Sequence, residues 1–314
     1  MESTLIKAKT VFEDIFQNVG KTVVGQQEVI KQILISLLCN SNALLEGYPG
    51  LAKTLSVKTL AELMDMKFSR IQGTPDLMPS DVTGTYVLEE AKNGRQFTFQ
   101  QGPIFANIVL MDEINRATPK TQAALLEAMQ ERQVTVGNKT FKLDTPFFVL
   151  ATQNPVEQEG TYPLPEAQSD RFLLKIKTDY PSVEEELEIV SRLTELNTNP
   201  TQKPQTIMTK QMLQQMQGLV KKIPIANDLK QYTIDLINKT RRQSELIEYG
   251  ASPRASIGLV LAAKAHALLE GRNFVNKQDI HSMAYPILRH RIVLNFEAER
   301  NNFKEDDVVK YLLK

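Results

Sequence analysis

The stretch Asn42–Thr54, reading N-A-L-L-E-G-Y-P-G-L-A-K-T, constrains this chain more than any other. A short apolar run, Ala43 to Leu45, leads into Gly47, Pro49, Gly50, Leu51 and Ala52, and Lys53 and Thr54 then open a helix-like segment running to about Met64. Strand, glycine-rich loop and helix in that order form a cradle. Backbone N–H groups at a positively polarised helix end surround phosphate oxygens, and a lysine adds a point charge. Gly47 and Gly50 permit backbone angles and close approaches that side chains block. Lys53 is then placed to reach the β- and γ-phosphates of a nucleotide, and the Thr54 hydroxyl to hold Mg²⁺. Ala52 stands where the general pattern has glycine. Taken alone, the segment also reads as a turn before a surface helix, so water- and metal-handling residues must follow if the cradle is real.

A chain of 314 residues with 42% hydrophobic content exceeds one small core and suggests two domains. Lys+Arg and Asp+Glu both total 37, so no overall basic field points to nucleic acid or an anionic membrane. The single cysteine, Cys39, ends an apolar run and reads as a core thiol suited to a reducing cytoplasm. His266, His281 and His290 lack metal-ligand spacing and read as ordinary lid or surface residues. The amino terminus shows no secretory apolar core, and no stretch approaches membrane-spanning length, so a soluble, cytoplasmic protein is expected.

Along the chain, two helices (Leu5–Val19 and about Glu28–Cys39) precede the first strand. Phe68–Ile71 reads as a second strand and Gly73–Ser80 as a loop. Thr85–Phe99 reads as a β-hairpin around an Asn93-Gly94 turn. Asn107–Met111, Phe147–Ala151 and Phe172–Ile176 give three more strands, the first two apolar enough to be buried on both faces. Pro119–Arg132 is helical and Gln133–Leu143 suggests a second hairpin. Strands alternating with helices predict an α/β fold, a five-stranded parallel sheet covered on both faces, with ligands at the strands' carboxyl ends. A helix from Ser182 to about Leu196 follows, and beyond a polar stretch only helical periodicity is visible. A boundary near 197–205 therefore separates a nucleotide domain (1–200, with two hairpin insertions) from an all-α lid (201–314). The lid helices are expected at Lys210–Lys221, Asp228–Glu245, Pro253–Glu270 and Lys277–Leu288, with a short helix in the tail.

Asp112 and Glu113 close the third strand. Acids at the end of a buried strand need compensation, which Mg²⁺ bridging nucleotide phosphates would give to Asp112. Glu113 is then the candidate general base for an attacking water, the alternative being two solvated loop acids. Asn154, after the fourth strand, can hold a water or a γ-phosphate, or simply form a turn before Pro155. Arg254 follows Ser252 and Pro253 at a helix start, where the dipole disfavours a cation unless an anion is near.

These segments carry a resemblance. The loop together with D-E-I-N-R (Asp112–Arg116), P-K-T-Q-A-A-L-L-E-A-M-Q-E-R (Pro119–Arg132), A-T-Q-N-P (Ala151–Pro155), E-G-T-Y-P-L-P-E-A-Q-S-D-R-F (Glu159–Phe172) and S-P-R-A-S (Ser252–Ser256) resembles MoxR-type AAA+ ATPases over nearly the whole chain. The resemblance implies an AAA+ αβα P-loop domain, a helical lid, and a homo-oligomeric ring, commonly a hexamer, with ATP between subunits. It assigns Lys53 and Thr54 to Walker A, Asp112 and Glu113 to Walker B, Asn154 to sensor 1, Arg254 to sensor 2 and Arg171 to an arginine finger given to the neighbouring subunit. Val24 and Gly25, within Val23–Gln26, would lie near the adenine. Ala52 matches the family's usual loop. The hairpins at Thr85–Phe99 and Gln133–Leu143 look like the family's helix-2 and pre-sensor-1 insertions, the expected remodelling elements. Arg116 either reaches across an interface or pairs with an acid. Without the resemblance, Arg171 reads as a solvated arginine or as the partner of Asp170.

The reading that results is an Mg²⁺-dependent ATPase whose hydrolysis remodels or matures protein clients, with a von Willebrand factor A domain adaptor on a separate chain. The alternative is a slow nucleotide-dependent switch or scaffold that recruits partners without mechanical work. Neutral charge and the lack of a DNA-reading motif disfavour a nucleic-acid motor.

Overall fold

A computed structural model describes residues 2–91, 94–155, 160–194, 205–242 and 245–314. Helices α1 (Glu2–Thr22) and α2 (Gln27–Leu38) lead into β1 (Ala43–Gly47), α3 (Lys53–Leu63), β2 (Phe68–Gln72) and α4 (Pro79–Thr83). A hairpin of β3 (Gly84–Ala91) and β4 (Gly94–Gln101) precedes β5 (Ile108–Asp112), a 3₁₀ turn at Ile114–Arg116 and α5 (Pro119–Glu131). A second hairpin, β6 (Gln133–Val136) and β7 (Lys139–Lys142), precedes β8 (Phe148–Gln153), α6 (Glu166–Ser169), β9 (Leu174–Thr178) and α7 (Val183–Thr194). The lid comprises α8 (Lys210–Lys222), α9 (Asn227–Arg242), β10 (Ile247–Tyr249), α10 (Pro253–Leu269), α11 (Lys277–Leu288), β11 (Val293–Leu294), α12 (Phe296–Arg300) and α13 (Glu305–Leu312).

The sheet is parallel, in the order β2-β5-β8-β1-β9. Ile108–Met111 and Phe148–Ala151 are buried along their whole length, as strands covered on both faces must be. Register sets the carboxyl ends level: Gln72 faces Asp112, Glu46 faces Gln153 and Gly47 faces Thr178. The loop after β1, the acids ending β5 and Asn154 after β8 therefore meet at one edge, where ligands bind in open α/β sheets.

Apolar residues at Leu5, Ala8, Phe12, Ile15 and Val19 form one stripe on α1, which packs on α3 and α10. One apolar cluster runs from α1 and α2 through one sheet face into the lid helices; a second fills the other face beneath α5. The lid is thus seated on the two amino-terminal helices. The hairpins are joined to each other by rings: Phe99 and Phe141 stack at 4.1 Å, and Tyr86 and Phe105 lie 5.5 and 5.8 Å from Phe99.

Several expectations need correction. The lid is not helical throughout: β10 and β11 form a short antiparallel pair, too brief to leave a periodic signature. Part of the expected loop Gly73–Ser80 belongs to α4, where Pro79 starts a helix because its ring fixes φ and its missing N–H is not needed there. The tail folds into two short helices rather than one. Cys39 is half-buried, and burial pushes its thiol pKa up. Residues 92–93 of the expected hairpin turn, and the expected boundary near 197–205 except for residue 205, lie outside the described residues.

Candidate active site

Backbone geometry builds the cradle first. Gly50 has φ +83, and Ala52, at φ 53, is the left-handed residue immediately before α3. A non-glycine residue in that region is uncommon and marks a constrained site. Gly47 does need to be glycine, but for a different neighbour than a phosphate: a Cβ there would lie 2.8 Å from the Thr178 side chain of β9. Lys53 Nζ donates to the Gly47 carbonyl oxygen. Burial lowers the lysine's pKa, an effect opposed by Asp112, Glu113 and Glu46.

Pro49 to Leu55, Arg70, Asp112, Glu113, Thr152 and Asn154 line a cavity of about 450 Å³. A second, largely apolar cavity of about 230 Å³ adjoins it through Gly50, Leu51, Ala52 and Leu55, with Val23, Val24, Pro181 and Ile189 on its walls. Helix α7 closes that side. Arg192 donates to the carbonyl oxygens of Gly20 and Lys21, both at 3.0 Å, and so ties α7 to the end of α1. Gly25 has φ +69 and faces Glu185; a Cβ would lie 2.8 Å from that carboxylate. Tyr48 in the loop stacks on Tyr180 at 4.6 Å.

Both acids are held by neighbouring groups: Arg116 pairs with Glu113, the acid-pairing role that the sequence left open for it, and the other partners were missed by sequence reasoning. Asp112 Oδ1 accepts from the Thr152 hydroxyl at 2.6 Å, and Thr152 Oγ1 accepts the Glu113 N–H at 2.9 Å. Asp112 Oδ2 pairs with Arg70, 2.6 Å from Nη2 and 3.2 Å from Nε. Glu113 Oε2 accepts from Gln72 Nε2 at 3.0 Å and Arg116 Nη1 at 3.1 Å. The Gly73 N–H donates to the Asp112 carbonyl oxygen at 2.6 Å, and a Cβ on Gly73 would sit 2.1 Å from the Glu113 carbonyl oxygen. Glu113 itself has φ 55. Thr152 left one weak trace in the sequence, a polar residue inside an apolar strand. Arg70, Gln72 and Gly73 left none, because their partners are about forty positions away.

Two candidates stand apart from this cavity. Arg171 is exposed beside Glu127, Glu131 and Gln168, and its guanidinium makes no ion pair among the described residues. Asp170 is not its partner. That carboxylate pairs with Arg291 at 2.7 Å and Arg254 at 3.4 Å and accepts from Ser252 Oγ. Arg291, its side chain 3% exposed, also donates to the carbonyl oxygens of Leu173 and Ile287, at 2.9 and 2.6 Å. Beside it, His290 Nε2 meets the Phe172 carbonyl oxygen at 3.0 Å. These contacts bolt the lid to the chain entering β9. The other histidines are also partnered: His266 with Asp279, His281 with Tyr232.

The donor set suits the groups it would receive. A helix N-terminus and a lysine meet polyphosphate, and a hydroxyl and a carboxylate offer the hard oxygens Mg²⁺ prefers. The sheet order and a phosphate cradle at its carboxyl edge define a P-loop ATPase of the AAA+ class. Residues 42–174 match the family described as "ATPase family associated with various cellular activities (AAA)", and residues 239–311 match the AAA lid domain. The chain is 42% identical to Chaperone MoxR1 of Mycobacterium tuberculosis, over 99% of this chain and 83% of that protein. It is 31% identical to Protein MoxR of Paracoccus denitrificans, over 94% of this chain and 92% of the relative. A crystal structure of a candidate ATPase from Cytophaga hutchinsonii superposes with a TM-score of 0.91 at 45% identity, covering 99% and 96% of the two chains. The chain belongs to the MoxR family of AAA+ ATPases. Among the described residues, no helix is long and apolar enough to cross a membrane.

Proposed function

We propose that the two adjoining cavities bind ATP, its base in the apolar one beside Val24 and Gly25 and its phosphates over Gly47–Thr54. The observation that carries this reading is the convergence of Lys53, Thr54, Asp112, Glu113 and Asn154 on one cavity from three strand ends. Thr54 and Asp112 would hold Mg²⁺, whose charge would neutralise the β- and γ-phosphate oxygens. Lys53 binds those phosphates. Glu113 takes the proton of the attacking water; its Oε2 is held by Gln72 and Arg116, which among the described residues leaves Oε1 for that proton. Asn154, buried at the end of β8, orients the water or the γ-phosphate.

Arg171 and Arg254 lie outside the cavity, and Asp170 links the chain position next to Arg171 with Arg254. We assign both to the site of the neighbouring subunit in a ring, commonly a hexamer, with residues 1–200 as its nucleotide domain and 201–314 as its lid. Hydrolysis then drives chaperone-like remodelling of protein clients through the two hairpins, together with a von Willebrand factor A domain adaptor on a separate chain. The name of the Mycobacterium tuberculosis relative supports the chaperone-like part. The hairpin surface supports client contact: Leu88 and Phe97, opposite each other in register, are 52% and 72% exposed. The test is calorimetric titration with a non-hydrolysable ATP analogue, followed by pull-down. Lys53→Ala loses binding, whereas Glu113→Gln retains nucleotide, hydrolyses far more slowly and captures clients. Unchanged affinity in Lys53→Ala discards the site; near wild-type turnover in Glu113→Gln removes Glu113 from its role.

A further inference from the structure

We propose that Arg70 is an exchangeable counter-cation for Asp112, its guanidinium and Mg²⁺ competing for the same carboxylate oxygen, so that metal binding and release of Arg70 are linked. The inference rests on the nucleotide site assigned above.

The two oxygens of Asp112 are held differently. Oδ1 takes the hydroxyl of Thr152, a residue 1% exposed whose oxygen is itself fixed by the Glu113 N–H. Among the described residues, Oδ2 takes only the guanidinium of Arg70, a side chain 48% exposed. Arg70 sits on β2, the edge strand, opposite Leu110 of β5, so its side chain can leave without disturbing the core. The backbone ladder from Phe68 to Gln72 already fixes β2 to β5, and the ion pair is not needed for that. Nη2 also donates to Gln72 Oε1 at 2.8 Å, a contact that can retain the guanidinium near the cavity once Oδ2 is surrendered.

Charge gives the exchange its direction. Without metal, Asp112 and Glu113 would both face nucleotide phosphates, and Arg70 offsets one of those charges. Were Asp112 to hold Mg²⁺ through Oδ2, a guanidinium at the same oxygen would be a like charge at close range and would be released. Arg70 therefore supports binding of the metal-free nucleotide and weakens the metal's hold, acting on Asp112 as a positioning residue. A structural role alone would move both quantities the same way.

The experiment uses the full chain with ADP and MgCl₂ as probes, comparing wild type, Arg70→Met and Arg70→Lys by calorimetry. ADP affinity is measured in EDTA, and the half-saturating Mg²⁺ concentration at fixed ADP. In Arg70→Met, metal-free ADP should bind more weakly while the Mg²⁺ midpoint falls about two- to fivefold, the upper range for a part-exposed ion pair. Arg70→Lys, which keeps the charge but loses the fork, should fall between. A midpoint unchanged or raised in Arg70→Met, with ADP still bound, overturns the exchange. If wild-type ADP affinity does not respond to Mg²⁺ at all, the metal site itself is wrong, a failure separable from the first.

Discussion

Replacing Thr152 with valine keeps the side-chain shape and removes one hydroxyl that serves both acids. The substitution leaves the Glu113 N–H without its 2.9 Å acceptor and Asp112 Oδ1 without its 2.6 Å donor. An orphaned buried N–H costs about 1–3 kcal/mol, and a hydrogen bond to a charged group contributes about 1.5–3 kcal/mol. The second figure must be discounted, because Asp112 keeps Arg70 and its side chain is 17% exposed, so water replaces part of the loss. The net expectation is a destabilisation of about 2–4 kcal/mol, or roughly 3–6 °C in Tm for a chain of this size. Thr152→Ser restores the hydroxyl and most of the stability. Thermal unfolding of the two variants beside wild type measures this, and an Mg²⁺ titration with ADP should show a raised midpoint for valine only. If valine lies within about 0.5 kcal/mol of wild type and serine gains nothing over it, the hydroxyl does not organise the acids.

Lys53→Ala and Arg171→Ala should each be nearly inactive as rings, since arginine fingers contribute about 10³–10⁵ in rate, yet mixing them should restore turnover at interfaces pairing an intact loop with an intact finger. ATPase rate against mixing ratio, with assembly followed by light scattering, decides it; no gain over the sum of separate rates removes Arg171 from a trans role, unless hydrolysis needs every site intact. Gly73→Ala drives a methyl into the Glu113 carbonyl, 2.1 Å from the ideal Cβ, and should cost about 1–3 kcal/mol with at least a tenfold loss of turnover. Wild-type turnover in that variant would show that the strand-end geometry is not needed. In the lid, burial would raise the Asp279 carboxyl, but Arg272, His266 and the Asn276 N–H together hold it at about 2, against an ordinary 3.8. A depressed carboxyl pKa gives stability that is complete above the unfolded value and lost as pH falls through the folded one, here about 2–3 kcal/mol between roughly pH 4 and 2. Unfolding measured across that window should show the slope in wild type and its absence in Asp279→Asn.

The central strands were legible because Ile108–Met111 and Phe148–Ala151 are unbroken apolar runs, which only a doubly covered strand requires. Lid helices were legible through their periodicity, and the structure adds their caps: Lys277–Leu288 begins at Asn276, whose side chain accepts from the Asp279 N–H. The loop and the Asp112-Glu113 pair were legible because their chemistry is local in sequence. What stayed hidden depends on distance along the chain. Arg70 meets Asp112, and Arg291 meets Asp170 and the entry to β9, only once the sheet and lid are assembled. An arginine pattern such as Arg289-His290-Arg291 looks like solvated charge until burial shows that carbonyl oxygens satisfy it. The β10–β11 pair was hidden for a simpler reason, since a strand of two residues has no period.

The stacked rings between the hairpins have a mechanical consequence. Hairpin β3–β4 runs into β5, and hairpin β6–β7 runs into β8, two strands paired side by side from Ile108 and Phe148 onward. Their far ends carry Asp112 and Gln153, the latter directly before Asn154. With Phe99 seated flat on Phe141, load applied to either hairpin would be shared at the ring contact. Each of these strands is paired on both sides in the sheet, so its register is fixed by two ladders of backbone hydrogen bonds. The hairpins and the strand ends that line the candidate nucleotide cavity thus lie at opposite ends of the same pair of strands.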